Sequence, residues 1–374
     1  MKQINIKQTM MKQTNEKKTN EEETNEKKTN EKQMSKKEYD NQGQKKQPEN
    51  MIQARIMEVQ KDWFSVGYEW NGSYQKKPAR LKASVFYRSQ KEDGAELYPA
   101  IGDDVRVWRN EQGEDRIEEV LPRRSWLSRP NPATSGQTEQ GIAANFDVIL
   151  LIQSLNQNLN PRRMERYLTV AWNSGATPVI VLTKSDLVEE EEELESRVSQ
   201  IEEVAVGVSV LAVSALTGEG MEEVKALLEP GKTFLLVGSS GIGKSTLVNA
   251  LAGEELMTTS EIREEDGRGR HTTTHRQMIV LPNGVCLIDT PGMRELGIWN
   301  AEDGVEGAFS DVEELAGQCR FRDCRHEREP GCAVKKAIRE GRLPAERFKS
   351  WQKLQREAAH QAKKLARREA SRRK

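Results

Sequence analysis

The sequence predicts a multidomain α/β protein: a small closed β-barrel, then a three-layer α/β domain with permuted motifs, then a helical segment organised around a metal site. Three observations predict it. Short alternating apolar stretches follow Met51. A phosphate-loop motif, Gly238 to Thr246, comes after a base-reading motif, Thr183-Lys184-Ser185-Asp186. Three cysteines and a histidine crowd into residues 319–332.

At 374 residues and 35% hydrophobic content, the chain has material for two or three domains with real cores. No apolar run approaches the roughly 20 residues of a membrane span, and the N-terminus lacks the apolar stretch of a secretory signal. A cytoplasmic protein without membrane association is expected. Three of the four cysteines cluster beside His326, which fits metal ligation in a reducing compartment better than a disulfide framework. The net charge of −1 hides an asymmetry, because residues 333–374 hold 15 Lys and Arg against four Glu. Such an arm suits a polyanion, and it equally suits simple solubility.

Residues 1–50 repeat Thr-Asn-Glu-Lys-Lys with variations and offer almost nothing to bury, so a disordered low-complexity tail is expected. Residues 51–125 are assigned to the barrel. The stretches Ala54–Val59, Trp63–Tyr68, Ala79–Ala83 and Val105–Trp108 alternate with period two between Gly, Pro and Asp, as strands of an OB-type barrel do. That fold often binds nucleic acid, though many small barrels bind none.

Residues 126–300 are assigned to the α/β domain. Asp147–Ile152 and Pro178–Leu182 are continuous apolar runs, the mark of parallel strands buried on both faces, and Met164, Leu168 and Ala171 recur between them at helical spacing. A solvated Glu-rich helix over 189–203 and strands at Val208–Val213, Thr233–Val237 and Val285–Ile288 complete the set.

The run Gly238, Ser239, Ser240, Gly241, Ile242, Gly243, Lys244, Ser245, Thr246 matches the P-loop pattern in its required context, after an apolar strand and opening a helix at Lys244–Leu251. Its glycines allow backbone N–H groups to face phosphates, Lys244 to reach the β and γ oxygens and the Ser245 hydroxyl to ligate Mg²⁺. Asp289, in Asp289-Thr290-Pro291-Gly292, is suited to the same Mg²⁺, and the Gly292 N–H to the γ-phosphate. The glycine- and hydroxyl-rich segment Gly267 to Thr274 stands where a first switch belongs, with Thr273 as the further Mg²⁺ ligand. Asp186 is placed to read guanine, with Lys184 along the base and Ser214-Ala215 offering a backbone contact to the guanine oxygen. Thr183 stands where Asn-Lys-x-Asp has asparagine, and a hydroxyl replaces only part of what an amide does. Met293 follows Gly292 where a water-orienting glutamine often stands, so intrinsic turnover is expected to be slow unless a polar group comes from elsewhere. His271 is the candidate, and a residue supplied by a partner is the alternative. These motifs describe a circularly permuted P-loop GTPase domain that binds GTP and GDP with Mg²⁺.

Cys319, Cys324, His326 and Cys332 offer three thiolates and an imidazole within 14 residues, a set that suits one structural tetrahedral Zn²⁺. Residues 301–374 form this zinc-binding helical domain. Phe348, Trp351, Leu354, Ala358, Ala362 and Leu365 then mark one apolar stripe on a long, otherwise basic helix starting near Pro344, for which RNA phosphate is the economical partner.

Together the permuted motifs, His271-Thr-Thr-Thr274, Cys319-Arg-Phe-Arg-Asp-Cys-Arg-His326 and Glu329-Pro-Gly-Cys332 resemble the ribosome small subunit-dependent GTPase A family (RsgA/YjeQ-like) over about residues 51–374. The resemblance implies GTP hydrolysis stimulated by the small (30S) ribosomal subunit late in its maturation, with 16S rRNA as partner and His271 as the favoured catalytic residue beside Thr273 and Lys244. A monomer is the default expectation. The alternatives are a regulatory, RNA-binding GTPase with a non-ribosomal partner and an RNA-binding module with a vestigial nucleotide site. Intact Lys244, Ser245, Asp186 and Asp289 speak against the latter.

Overall fold

The structure, a computed structural model, describes residues 50–60, 63–91, 98–131, 134, 138–156, 159–257, 276–290 and 302–372. The expected N-terminal tail lies outside them. The chain divides into residues 1–52 and residues 53–374, and the second unit holds nearly all of the regular structure.

Five strands make the barrel: β1 (Met51–Gln60), β2 (Trp63–Trp70), β3 (Ser73–Leu81), β4 (Asp104–Trp108) and β5 (Asp115–Val120). Their order is β1-β2-β3-β5-β4, and β4 pairs back onto β1, so the sheet closes. Asn71 and Gly72, both at positive φ, turn β2 into β3, as a two-residue hairpin loop requires. Ile56, Phe64, Val66, Val105, Val107 and Ile117 fill the interior. Tyr68 donates to the buried Asp115 carboxylate at 2.8 Å, and burial together with that carboxylate pushes the phenol up to about 12.

Two elements differ from the sequence expectation here. The third strand ends at Leu81, because the Lys82 carbonyl already accepts from Val85 and Phe86 and starts helix α1 (Ala83–Lys91). β5 is too charged for its alternation to show, yet Asp115 and Ile117 both point inward.

Next come a hairpin, β6 (Trp126–Pro130) with β7 (Glu139–Ala144), and the α/β core: β8 (Val148–Ser154), α2 (Pro161–Asn173), β9 (Thr177–Thr183), α3 (Glu191–Glu202), β10 (Ser209–Val213), α4 (Met221–Leu227), β11 (Thr233–Gly238), α5 (Lys244–Ala252), β12 (Arg276–Val280) and β13 (Cys286–Asp289). The strand order is β10-β9-β8-β11-β13-β12, parallel except for β12, which also pairs with β1 and so joins barrel and core in one continuous sheet. The apolar runs are explained by burial on both faces. Ile149 and Leu151 of β8 meet α2 through Met164 and Leu168, while Leu150 and Ile152 meet α5 through Leu247 and Val248.

The hairpin replaces what reads as a loop in the sequence. Gly141 makes it possible, since a Cβ there would stand 2.1 Å from the Trp126 ring. Asn145, fully buried at φ +53°, ties barrel to core: it accepts from the Arg124 N–H, donates to Gly102 O, and its own carbonyl accepts from Arg55.

Four helices follow: α6 (Glu302–Ala308), α7 (Ser310–Gly317), α8 (Ala333–Arg339) and α9 (Ala345–Arg372). Phe309, Val312, Val334, Phe348, Trp351 and Leu354 share one apolar cluster with Met164 and Leu168 of α2, so these helices borrow the core of the α/β domain. α6 lies close on α2 because Gly304 and Gly307 present no side chain to Thr169 O and Trp172. Among the described residues no helix is long and apolar enough to cross a membrane.

Candidate nucleotide site and metal centre

The permuted segments meet at the carboxyl ends of the parallel strands. β8 and β11 are neighbours whose chains leave in opposite directions, β8 toward β9 and β11 toward β13, and the crevice between such strands is where open α/β sheets bind ligands. Gly238 closes β11 there, and a Cβ on it would stand 2.8 Å from Ile152 O of β8 and 2.2 Å from the Ile242 side chain. Gly241 and Gly243 hold φ of +80° and +91°, which curls the loop before Lys244 opens α5. Ser239, Ser240, Ser245 and Thr246 lie along this loop and first helical turn, partly or fully exposed.

The segment Thr183–Asp186, expected to read the base, locks onto the loop before α5 by two direct bonds. The Thr183 hydroxyl, buried at the end of β9, donates to Ile242 O, with Gln153 O 3.2 Å away as a second acceptor. Lys184, at φ +63°, sends its ammonium to Gly241 O at 3.0 Å. The hydroxyl therefore makes the cross-link that holds the end of β9 against the loop before α5. Asp186 accepts from the fully buried Ser214 hydroxyl at 2.6 Å, and that hydroxyl also accepts from the Leu216 and Thr217 N–H groups. Asp186 and Ser214-Ala215 are thereby brought together, as their separation by one helix and one strand requires.

On the other side, Lys244 donates to Thr290 O at 2.7 Å and lies 2.6 Å from Asp289 Oδ1. The Asp289 carboxylate is buried at the end of β13, and the Lys244 ammonium is its charge partner. An oxygen so placed, beside the mouth of a P-loop, fits a hard cation. Thr290 fixes the strand end by donating to Leu236 O at 2.8 Å. Thr290 and Glu219, whose carboxylate accepts from Ser185 at 3.4 Å, are positioning groups that the sequence reading did not single out. Their only signal is adjacency to a motif. His271, Thr273 and Gly292 lie outside the described residues.

The four predicted metal ligands converge. Sγ of Cys319, Cys324 and Cys332 and a ring nitrogen of His326 all lie within 4.8 Å of one another. His326 Nδ1 is 3.4 Å from Cys332 Sγ and 3.6 Å from Cys319 Sγ. Three thiols and one imidazole gathered with no competing carboxylate are the donor set of a closed tetrahedral site. Cys332 also caps α8, accepting from the Lys335 N–H. Burial holds His326 below its ordinary value, which favours the neutral form, and its ring is wedged edge-on to Phe348 and Trp351 of α9. The carboxylate of Glu329 gathers the N–H groups of Arg325, Glu327 and Arg328 and sets the loop between the ligands.

A sequence model described as RsgA GTPase matches residues 120–299. The small ribosomal subunit biogenesis GTPase RsgA 1 of Listeria innocua serovar 6a is 48% identical over 323 residues, covering 85% of this chain and 88% of that one. The crystal structure of YjeQ from Thermotoga maritima is 28% identical, with a TM-score of 0.60, and the match covers 83% of this chain and 99% of that one. YloQ, described as a circularly permuted GTPase, shares the fold at 23% identity and a TM-score of 0.58, over 84% of this chain and 98% of its own.

Proposed function

This chain belongs to the RsgA GTPase family, and from that membership we propose that it hydrolyses GTP to GDP and phosphate in the biogenesis of the small ribosomal subunit. It acts in the cytoplasm as a late checkpoint, binding 16S rRNA in the GTP form, with hydrolysis stimulated by the subunit and followed by release. The observation that carries this reading is the contact of Thr183 and Lys184 with Ile242 and Gly241, 59 and 57 residues away in the chain. It closes a single guanine-nucleotide site from motifs in permuted order.

In this reading the backbone N–H groups from Ser239 to Lys244 cradle the phosphates, and Lys244 exchanges Asp289 for the β and γ oxygens. Asp186 accepts from the guanine ring and its amine, while Ser214 holds Asp186 in place. Ser245 and Asp289, with Thr273, would hold Mg²⁺, which would supply neutralisation of the phosphate charge. Gly292 meets the γ-phosphate, and His271 orients the attacking water. Cys319, Cys324, His326 and Cys332 would hold one Zn²⁺, which would supply the cross-link for a segment without its own core.

The test is GTP hydrolysis with and without isolated small subunits, with ATP and large subunits as controls. Stimulation confined to GTP and small subunits is expected. GTP turnover that small subunits leave unchanged would overturn the ribosomal part of the reading. Within the stimulated reaction, H271A should lower the rate by about 10²–10⁴-fold while leaving GTP affinity intact.

A further inference from the structure

Leu216 is the most exposed large apolar side chain among the described residues, at 80%. It stands in the loop after β10, and that loop is tightly held. Gly218, at φ +88°, donates its N–H to Ser214 O at 2.9 Å and closes the turn, while the Ser214 N–H donates to Glu219 O at 2.9 Å. The Leu216 and Thr217 N–H groups reach the Ser214 hydroxyl at 3.3 and 3.1 Å. That hydroxyl gives its one proton to Asp186 and both lone pairs to these N–H groups, so its bonding is saturated and its direction fixed. A leucine exposed singly is ordinary on a protein surface. One fixed in place a single hydrogen-bonded group away from Asp186 is a contact surface prepared in advance.

Strand register sets Leu216 opposite Lys184. β9 and β10 are parallel neighbours with Val213 beside Thr183, so Lys184-Ser185-Asp186 and Ser214-Ala215-Leu216 leave the sheet side by side. The Lys184 ammonium is drawn to Gly241 O, which lays its aliphatic stem toward the loop before α5. A base whose edge meets Asp186 still has two ring faces to cover. The Lys184 stem offers one apolar surface and Leu216 offers another.

We propose that the Leu216 side chain covers one face of the guanine base and sets nucleotide affinity there, while Asp186 selects the base by its edge. The proposal rests on the guanine-nucleotide reading of this site. Covering a purine face withdraws both the ring and the leucine side chain from water. Such a contact is blind to the substituents on the ring edge, so Leu216 contributes affinity without contributing selection.

The experiment titrates wild type, L216A and L216M with GDP, with inosine diphosphate, which lacks the exocyclic amine, and with pyrophosphate, which lacks the base. Melting temperature checks folding. L216A is expected to bind GDP and inosine diphosphate about five- to twentyfold more weakly, by the same factor for both, as loss of most of a covered leucine requires. Pyrophosphate should bind all three proteins equally, and L216M, apolar and of similar volume, should recover most of the loss. Wild-type GDP affinity in L216A overturns the proposal. So does a loss that falls on GDP alone, which would make Leu216 a positioning residue acting through Asp186. A loss shared by pyrophosphate overturns it too, since the whole site would then have shifted. If wild type binds GDP no better than pyrophosphate, the guanine reading itself falls and takes the proposal with it.

Discussion

Arg347 and Asp311 form a two-pronged pair: Nε and Nη2 of the guanidinium each donate to a different carboxylate oxygen at 2.7 Å. The remaining donors reach Glu165 of α2, Val204 O after α3 and Ala308 O at the end of α6, and the guanidinium stacks over Phe309 at 4.7 Å. Arg347 and Glu165 are each 3% exposed, and burial pushes the Glu165 carboxyl up despite bonds from Ser350 and Arg347. One side chain of α9 thus ties the helices around the Cys-Cys-His-Cys group to the α/β core.

Removing the guanidinium strands Asp311 and Glu165, so R347M should cost about 3–5 kcal/mol in urea denaturation. R347K keeps the charge but not the fork and should fall between. An R347M protein within about 1 kcal/mol of wild type would show that the network contributes specificity rather than stability.

Thr183 predicts a binding effect. T183V keeps the volume and removes the donor to Ile242 O, a loss of about 1–3 kcal/mol, or about five- to 150-fold in affinity for a fluorescent GTP analogue. T183N, which restores a donor, should recover most of it. Wild-type affinity in T183V would mean that Lys184 alone holds the two segments together.

The metal centre is checked by elemental analysis. Purified protein should carry about one zinc per chain, and C332S essentially none, since a three-ligand remnant also loses its cap on α8. C332S should melt lower and lose stimulation by small subunits while still binding GTP, because no P-loop residue touches the cluster. Wild-type protein free of zinc would remove the assignment.

Glu329 gives a pH prediction. Its own N–H and those of Glu327, Arg325 and Arg328 hold the carboxyl down at about 2, against 4.5 for a free glutamate. A depressed carboxyl contributes stability that is fully present above about 4.5 and is lost as the pH falls toward 2. Carboxyl-carbon NMR should therefore show Glu329 titrating far below the other exposed glutamates, and E329Q should lose the associated acid dependence of loop order. A midpoint near 4.5 would mean that the loop is not gathered by this side chain.

Reading the sequence located what chemistry concentrates in short segments. The phosphate loop, Asp186, Asp289 and the Cys-Cys-His-Cys group are legible because their function requires particular residue types at fixed local spacing, and the buried strands β8, β9 and β11 because burial on both faces forces continuous apolar runs. β5, β6 and β7 were not legible, since their inward positions hold residues such as Asp115 and Gly141 that suit a strand only once Tyr68 and Trp126 are beside them. The same holds for Asn145 and Arg347. Each draws its role from groups 20 to nearly 200 residues away, and a hydrogen bond or ion pair depends on distance in space, to which the order of residues along the chain is blind. The sequence by itself determined which nucleotide-binding and cysteine–histidine motifs this protein carries. Tertiary structure decided how the permuted pieces close together at the ends of the parallel strands, and how the helices around the Cys-Cys-His-Cys group are fastened to them, because both depend on contacts between residues far apart in the chain.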